Sequence, residues 1–286
     1  MSILTAVFQA IGQALTFIFP ISESGHSAIF HDFAGRYSAA CSELTGLVHI
    51  GIALGIIVAF YKVFLRLILE FVSTWTDIFQ KKFNLREAKN SRKFMLLTFI
   101  PYVFMLAYLI PAGSKGNIYQ LLHSYSYDGN LLSEGACFLV TGAVMFVASY
   151  VLGKDEKGKQ LNVVNALLIS LCLFFAIPIS GLSACAAILF VGIILKVNKK
   201  IAFRYFVSIS APVLIVTGII QIATCVTYVP IIEGVIAVVL SGVVAFFASR
   251  FLLSFVKDNK AVYFSYYDFA IGFITLVIGI VQIIAK

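Results

Sequence analysis

The chain has 286 residues, of which 61% are hydrophobic and only 12% are charged, and its formal net charge is +8. A soluble domain has about 25% charged residues, so this chain cannot cover a globule with polar surface and must be solvated largely by lipid. The composition therefore excludes a soluble enzyme and a nucleic-acid-binding module, and we attribute the positive charge to the cytoplasmic excess of Lys and Arg that orients membrane proteins.

The first apolar run, residues 3–19, leads into a polar segment at residues 20–26 that reads Pro-Ile-Ser-Glu-Ser-Gly-His. The break predicts a re-entrant helical hairpin. Backbone N–H groups at such a tip suit a phosphate oxygen, Ser22 and Ser24 can donate hydrogen bonds, and His26 can act as acid, base or nucleophile. The alternative is that the serines only cap a half-helix and His26 bonds a carbonyl. A polar cluster at membrane depth favours a site.

Two further polar side chains could face this tip. Gln9 and Gln13 lie four residues apart on one helical face, and Gln13 either reaches the site or only bridges helices. His49 lies in the next apolar stretch. It faces the same cavity or, as we favour, is a hydrogen-bonded interior histidine.

Six apolar stretches have about the 20 residues that a membrane-spanning helix needs. Residues 62–93, between the first two stretches, hold the densest group of Lys and Arg, so we place them in the cytoplasm. The alternation then puts both termini and residues 113–134 outside, and residues 153–160, 196–204 and 257–267 inside. The predicted spans are 44–61, 94–112, 135–152, 205–224, 234–256 and 268–285.

The apolar stretch 161–195 has a basic, cytoplasmic flank at each end, so it should not cross the membrane. Pro178, Ser180, Gly181 and Ser183 interrupt it, and each piece is too short to span. We therefore predict a second re-entrant hairpin, whose polar tip is tolerated only against protein or a water-filled cavity.

The two breaks share the triplet Pro-Ile-Ser, at residues 20–22 and 178–180. A hairpin return and three spans follow each triplet, in opposite orientations. This pattern predicts an inverted-topology repeat, with halves of about 1–155 and 156–286 in one membrane domain over 1–286. The predicted fold is thus an all-α polytopic membrane protein with six transmembrane helices and two re-entrant hairpins. Such repeats place the site where broken helices meet near the midplane, so we expect both tips to share one cavity, with His26 at its edge.

The polar segments resemble the signatures of undecaprenyl-diphosphate phosphatase, the bacitracin-resistance family. The similarity covers residues 13–26, 178–184 and 204–212, in order, across nearly the whole chain. It implies the same six spans and two hairpins in a multi-pass protein of the bacterial plasma membrane. It also implies hydrolysis of undecaprenyl diphosphate to the lipid carrier of peptidoglycan synthesis. Ser22, Ser24, Gly25, His26 and Ser183 match the signatures.

Several positions depart from the family pattern where the chemistry resides. Gln13 and Phe17 stand at two acidic positions, and Leu182 stands at the arginine position. Glu23 replaces a serine, and it could pair with His26 on one helical turn. A diphosphate brings its negative charges into a pocket of low dielectric, where the missing guanidinium would have compensated them. Ile179 and Gly181 also differ from the second signature.

These observations leave two main hypotheses and a third that rests on the repeat alone. The favoured one is a family member that binds or translocates a polyprenyl phosphate or diphosphate with weak or no hydrolysis. The others are an active diphosphatase with a site rearranged around Glu23 and His26, and an unrelated small-solute transporter. The candidate catalytic residues are His26, Ser22 and Glu23, and the candidate lipid-phosphate ligands are Ser24, Gly25, Gln13, Ser180 and Ser183.

The cofactor requirement and the oligomeric state stay open at this point. The five cysteines are scattered and none has CxxC spacing, so we expect no metal site made of thiols. The residues suggest no other metal ligands. The family resemblance alone keeps a divalent metal as an option.

Overall fold

The structure is a computed structural model that describes residues 3–34, 41–125, 130–152, 158–225 and 228–285. These residues form helices joined by short turns and contain no named β-strand. Five helices are long and apolar enough to cross a membrane, and a bent pair raises the number to six. The predicted all-α, multi-pass membrane fold is confirmed.

The first hairpin consists of α1 (Ile3–Ile18) and α2 (Glu23–Ala34). Helix α1 buries every fourth residue, and three of these four residues are alanines, which lets it pack closely against the later helix α12. The chain reverses at Ser22, whose φ of 57° is left-handed. Pro20 precedes the reversal and cannot continue the hydrogen bonding of α1. The buried stripe is Ala6, Ala10, Ala14 and Ile18.

The predicted cytoplasmic loop 62–93 is instead largely helical. Helix α3 (Cys41–Ala59) is followed by α4 (Tyr61–Phe79), which turns by 89° relative to it. Helix α4 is amphipathic, and its exposed apolar side chains include Leu65, Leu69 and Trp75. The many charged residues of this segment led us to predict a loop, although its apolar residues follow a helical period.

The second span is a composite of three short helices, Asn90–Leu109 in all. It comprises α5 (Asn90–Leu97), α6 (Ile100–Leu106) and a 3₁₀ turn over Ala107–Leu109. A second 3₁₀ turn, Gly113–Lys115, and the short helix α7 (Ile118–His123) follow it. The third span is α8 (Leu132–Leu152).

The second hairpin consists of α9 (Val163–Ala176), followed after the tip by a π-helical turn at Ala186–Phe190 and by α10 (Val191–Ile194). Its tip reverses at Gly181, where φ is +90°. Each tip therefore contains one left-handed residue shortly after its proline. The predicted interruption of 161–195 is confirmed.

The remaining spans are α11 (Lys199–Thr224), α12 (Ile231–Lys257) and α13 (Val262–Ile284). Helix α13 begins before the predicted boundary at 268, so Asp268 lies within the helix. Helix α1 packs on α12 while α9 packs on α6, and α3 pairs with α11 while α8 pairs with α13. This exchange of partners is the arrangement that an inverted repeat would give. The exact halves and the sidedness of the loops stay predictions.

The α8–α13 pair is closely packed at glycines. A Cβ at Gly279 would clash with the backbone of Leu132, and one at Gly135 would approach the Leu276 nitrogen at 2.5 Å. Of the other helices, those that contact this pair most are α2, the π-helical turn and α10. Both hairpins therefore lie between the α8–α13 pair and the rest of the bundle.

Candidate functional site

The two hairpin tips contact each other, as the repeat predicts. The Ser22 hydroxyl donates a 2.9 Å hydrogen bond to the Leu182 carbonyl oxygen. A Cβ at Gly25 would lie 2.9 Å from the Gly181 Cα, so no larger residue fits there without displacement. The expected proximity of the tips is confirmed.

A cavity of about 290 Å³ opens between the tips and extends to α3, α6, α7 and α11. Its polar side chains are hydroxyls and amides, together with one carboxylate and two imidazoles. The lining does not include Pro178, Ser22 or Ser180. The polar lining residues are Gln13, Thr16, Glu23, Ser24, Ser27, Thr45, His49, Tyr119, His123, Ser183, Ser210, Thr217 and Gln221.

Glu23 pairs with His49 and not with His26. The His49 Nε2–H donates to Glu23 Oε1 at 3.0 Å, and both side chains line the cavity. Our expectation of a pair within one turn of α2 was wrong. Helix α2 begins at Glu23, whose carboxylate turns into the cavity, toward α3, while His26 turns toward α8 and α13. For His49, the two interpretations hold together, since it is hydrogen-bonded and faces the cavity.

His26 is held away from the cavity lining, which corrects its expected place at the edge. Its Nδ1 lies 2.8 Å from the Ser22 carbonyl, which can only accept, so Nδ1 carries the hydrogen. In the neutral ring, Nε2 then accepts from the Tyr267 hydroxyl at 2.6 Å. The His26 and Tyr267 rings stack at 8°, and Phe138 meets His26 edge-on. Both ring nitrogens are thus occupied, and Nε2 could attack a phosphate only after Tyr267 moved.

The other predicted residues divide between the cavity wall and the structure behind it. Ser24, Gln13 and Ser183 line the cavity. Ser22 is 1% exposed and accepts a 3.2 Å hydrogen bond from the Gly25 N–H, which makes it the cap of α2. Buried Gly25 and Ser180 are also outside the lining. The tip therefore presents fewer groups to a ligand than the sequence suggested.

Gln13 both bridges helices and reaches the cavity. Its Nε2 donates to Thr45 Oγ1 at 3.3 Å, beside a 2.9 Å bond from Gln9 to the same oxygen. Its Oε1 is buried without a hydrogen-bond partner in the described structure. That oxygen can accept a hydrogen bond from a ligand donor.

The described lining contains no lysine or arginine. Phe17 and Leu182, at the two altered motif positions, both face the cavity. The remaining imidazole at the wall, His123, stacks on Tyr119 at 21°, and burial lowers its pKa, so it is largely neutral at pH 7. Burial, followed by the negative charge of Glu23, raises the pKa of Tyr119. The fixed charge that faces the cavity is thus the Glu23–His49 pair.

A divalent metal held by the protein does not fit these residues. Among the described residues, no group of three or more His, Cys, Asp and Glu side chains lies close enough to bind a metal ion. The one carboxylate in the cavity lining, that of Glu23, is engaged by His49. No chemical step here is therefore assigned to a metal.

Several residues of the site belong to no motif in the sequence. Tyr267 and Gln221 lie in late spans, and Tyr119 and His123 lie in α7, which was treated as an outside loop. The tandem of Tyr119 and His123 at i and i+4 was a usable signal. Nothing in the local sequence connects Tyr267 with His26, because 241 positions separate them.

Comparison with known proteins matches residues 6–274 to the family described as bacitracin resistance protein BacA. Three relatives share similar length. The undecaprenyl-diphosphatase of Alkaliphilus metalliredigens is 27% identical, over 98% of this chain and 100% of the relative. The undecaprenyl-diphosphatase of Halothermothrix orenii is 25% identical over 98% and 99% of the two chains. The undecaprenyl-diphosphatase 2 of Halalkalibacterium halodurans is 26% identical over 95% and 94%.

Proposed function

This chain belongs to the bacitracin resistance protein BacA family, and we propose that it binds the phosphate headgroup of a polyprenyl lipid carrier and hydrolyses its diphosphate weakly or not at all. The proposed location is a bacterial plasma membrane. The proposed ligand is an undecaprenyl phosphate or diphosphate. The proposed action is to hold this lipid or to carry it between the two leaflets.

The observation that carries this proposal is the charge of the cavity. A diphosphate brings at least two negative charges, yet no lysine or arginine lines the described wall, and the lining histidine His49 is already bonded to Glu23. Removing a transition-state cation in other phosphoryl-transfer enzymes costs on the order of 10³–10⁵ in rate. A monophosphate requires less compensation, which the hydroxyl donors of the lining could supply.

The acid–base groups support the same conclusion. Phe17 presents no carboxylate, Gln13 presents an amide, and His26 is bonded on both ring nitrogens outside the cavity. The positions at which the family resemblance places acid–base groups therefore present no free base to the cavity. Binding requires none, because the Ser24 and Ser183 hydroxyls can donate to phosphate oxygens and the Gln13 amide oxygen can accept from a protonated one.

Purified protein in lipid nanodiscs tests the proposal directly. We expect phosphate release from undecaprenyl diphosphate to be at background, with or without Mg²⁺, while undecaprenyl phosphate binds measurably. Hydrolysis at the rate of an active family member would overturn the proposal. Absence of binding to either lipid would do so as well.

Restoring the missing groups provides the converse test. Because Phe17 and Leu182 face the same cavity, the double substitution Phe17→Glu with Leu182→Arg should raise phosphate release more than either change alone. Leu182→Lys is the matched control, since it adds charge without the planar fork of a guanidinium. It should give a smaller gain. A double variant no better than the single ones would refute the idea that these two positions limit the chemistry.

One observation favours a second candidate, an active diphosphatase with a rearranged site. The Glu23–His49 pair places an oriented carboxylate in the cavity, and such a carboxylate could activate water or the nucleophile. The arrangement differs from the pair with His26 that we expected. If the unaltered protein hydrolyses undecaprenyl diphosphate and Glu23→Gln abolishes this, the second candidate replaces the first.

A further inference from the structure

Helix α13 carries a carboxyl group that the proposed site does not use. Asp268 is 0% exposed, and neither of its carboxylate oxygens has a hydrogen-bond partner in the described structure. It lies two turns inside a helix of 23 residues that is apolar enough to span the membrane. An ionisable residue in such a position is expensive and marks a functional site by default.

The surroundings of Asp268 favour a proton over a metal ion or a salt bridge. No described cationic side chain pairs with it, and it belongs to no cluster of metal-binding residues. Helix α8 packs against it at Gly142, where an added Cβ would lie 3.2 Å from the Asp268 Cβ. The described titratable groups that interact with it are the Cys185 thiol of the second hairpin and the neighbouring Tyr267 phenol. An ionised carboxylate among these groups would be uncompensated, whereas the neutral acid is tolerated.

We propose that Asp268 is a proton-binding site of the membrane domain, linked through Tyr267 and His26 to the first hairpin tip. Tyr267 precedes Asp268 in α13 and hydrogen-bonds His26 at 2.6 Å. His26 belongs to α2, which also supplies Glu23 and Ser24 to the cavity. A movement of the tip when a headgroup binds is therefore passed directly to the segment that holds Asp268.

The linkage has a definite sign. The neutral acid adds no charge to the protein interior, whereas its ionised form adds a negative charge that repels a phosphate. Proton binding at Asp268 and headgroup binding should therefore favour each other, by the reciprocity of coupled sites. The proton site itself does not depend on the proposed function, but its linkage to a lipid phosphate does.

Infrared spectroscopy of the protein in lipid tests the proton site. The carbonyl stretch of a protonated carboxylic acid should be present at neutral pH, should disappear as the pH is raised, and should be absent from Asp268→Asn. This variant is nearly isosteric and neutral, so it preserves the packing against Gly142. If the unaltered protein shows no such band at any pH, or if the band persists in Asp268→Asn, the proton site is refuted.

Binding of undecaprenyl phosphate across the same pH range tests the linkage. The pH profile of Asp268→Asn reports the titration of the lipid phosphate itself. In the unaltered protein, affinity should fall by about a further tenfold as the Asp268 proton leaves. Tyr267→Phe should retain the carboxylic acid band but weaken this extra dependence, because it removes the bond to His26 and leaves the charge of Asp268 in place. Equal pH profiles for the unaltered protein and Asp268→Asn would overturn the linkage. Absence of lipid binding at every pH would refute the proposed function and the linkage, while the infrared band still decides the proton site.

Discussion

Replacing Ser22 by alanine should destabilise the contact between the hairpin tips. The substitution removes the 2.9 Å bond to the Leu182 carbonyl and the 3.2 Å cap of the Gly25 N–H, both in a buried region. A side-chain hydrogen bond within a membrane protein contributes about 0.6 kcal/mol on average and at most about 1.7 kcal/mol. Two such bonds predict a loss of about 1–3 kcal/mol in the free energy of unfolding. This loss overlaps the cost of a lost helix cap, about 0.5–2 kcal/mol, and its upper end exceeds that cost.

Equilibrium unfolding by sodium dodecyl sulfate, followed by circular dichroism, measures this loss. Ser24→Ala is the matched control, because Ser24 lines the cavity and its hydroxyl makes only a long, weak contact of 3.4 Å with the Ser22 hydroxyl. It should change stability by less than about 0.5 kcal/mol. Equal stabilities for Ser22→Ala and Ser24→Ala would refute the role given to the tip contact.

A third variant separates hydrogen bonding from backbone strain. Ser22 has a φ of 57°, a conformation that costs an L-residue about 1–2 kcal/mol and costs glycine little. Ser22→Gly loses the same hydroxyl as Ser22→Ala but relieves this strain. It should therefore be more stable than Ser22→Ala by about 1 kcal/mol, and a less stable Ser22→Gly would contradict the left-handed turn.

Three further predictions concern the scaffold. Cysteines introduced at Arg86 and at Lys196, in a background without the native cysteines, should be labelled from the same side of the membrane, and labelling from opposite sides would refute the topology. Gly279→Ala should lower the free energy of unfolding by about 1–3 kcal/mol, whereas Gly12→Ala, which meets nothing within 4 Å, should be neutral or slightly stabilising. The amphipathic helix α4 turns by 89° from α3, so we expect it to lie in the membrane surface. The single tryptophan, Trp75, should then be quenched by lipids brominated near the headgroup, and an unquenched Trp75 would place α4 in water.

The hairpins and the meeting of their tips could be predicted because their signals are local. Pro20 and Pro178 each stand where a polar segment interrupts an apolar run, and a polar tip in an apolar stretch must be covered by protein. The partner of Glu23 could not be predicted in this way. His49 is 26 positions away, and only the tertiary structure that brings α3 beside the start of α2 selects it over His26, three positions away.

Two errors arose from treating charge as a boundary. Asp268 was taken as the start of a span, which concealed a buried carboxyl two turns inside α13. The charges of residues 62–93 were likewise taken as a loop, although α4 occupies much of that segment. Charged residues mark helix ends only when they reach the interface, and neither the depth of Asp268 nor the bend before α4 is encoded in the local composition.

The position of the hairpins beside the α8–α13 pair has a mechanical consequence. The glycines at 135 and 279 leave no room between the two helices, so we expect α8 and α13 to move as one body. The pair contacts both tips, since Phe138 lies against Gly25 and the Thr141 hydroxyl donates to the Gly181 carbonyl. A displacement of the pair would therefore shift both tips together.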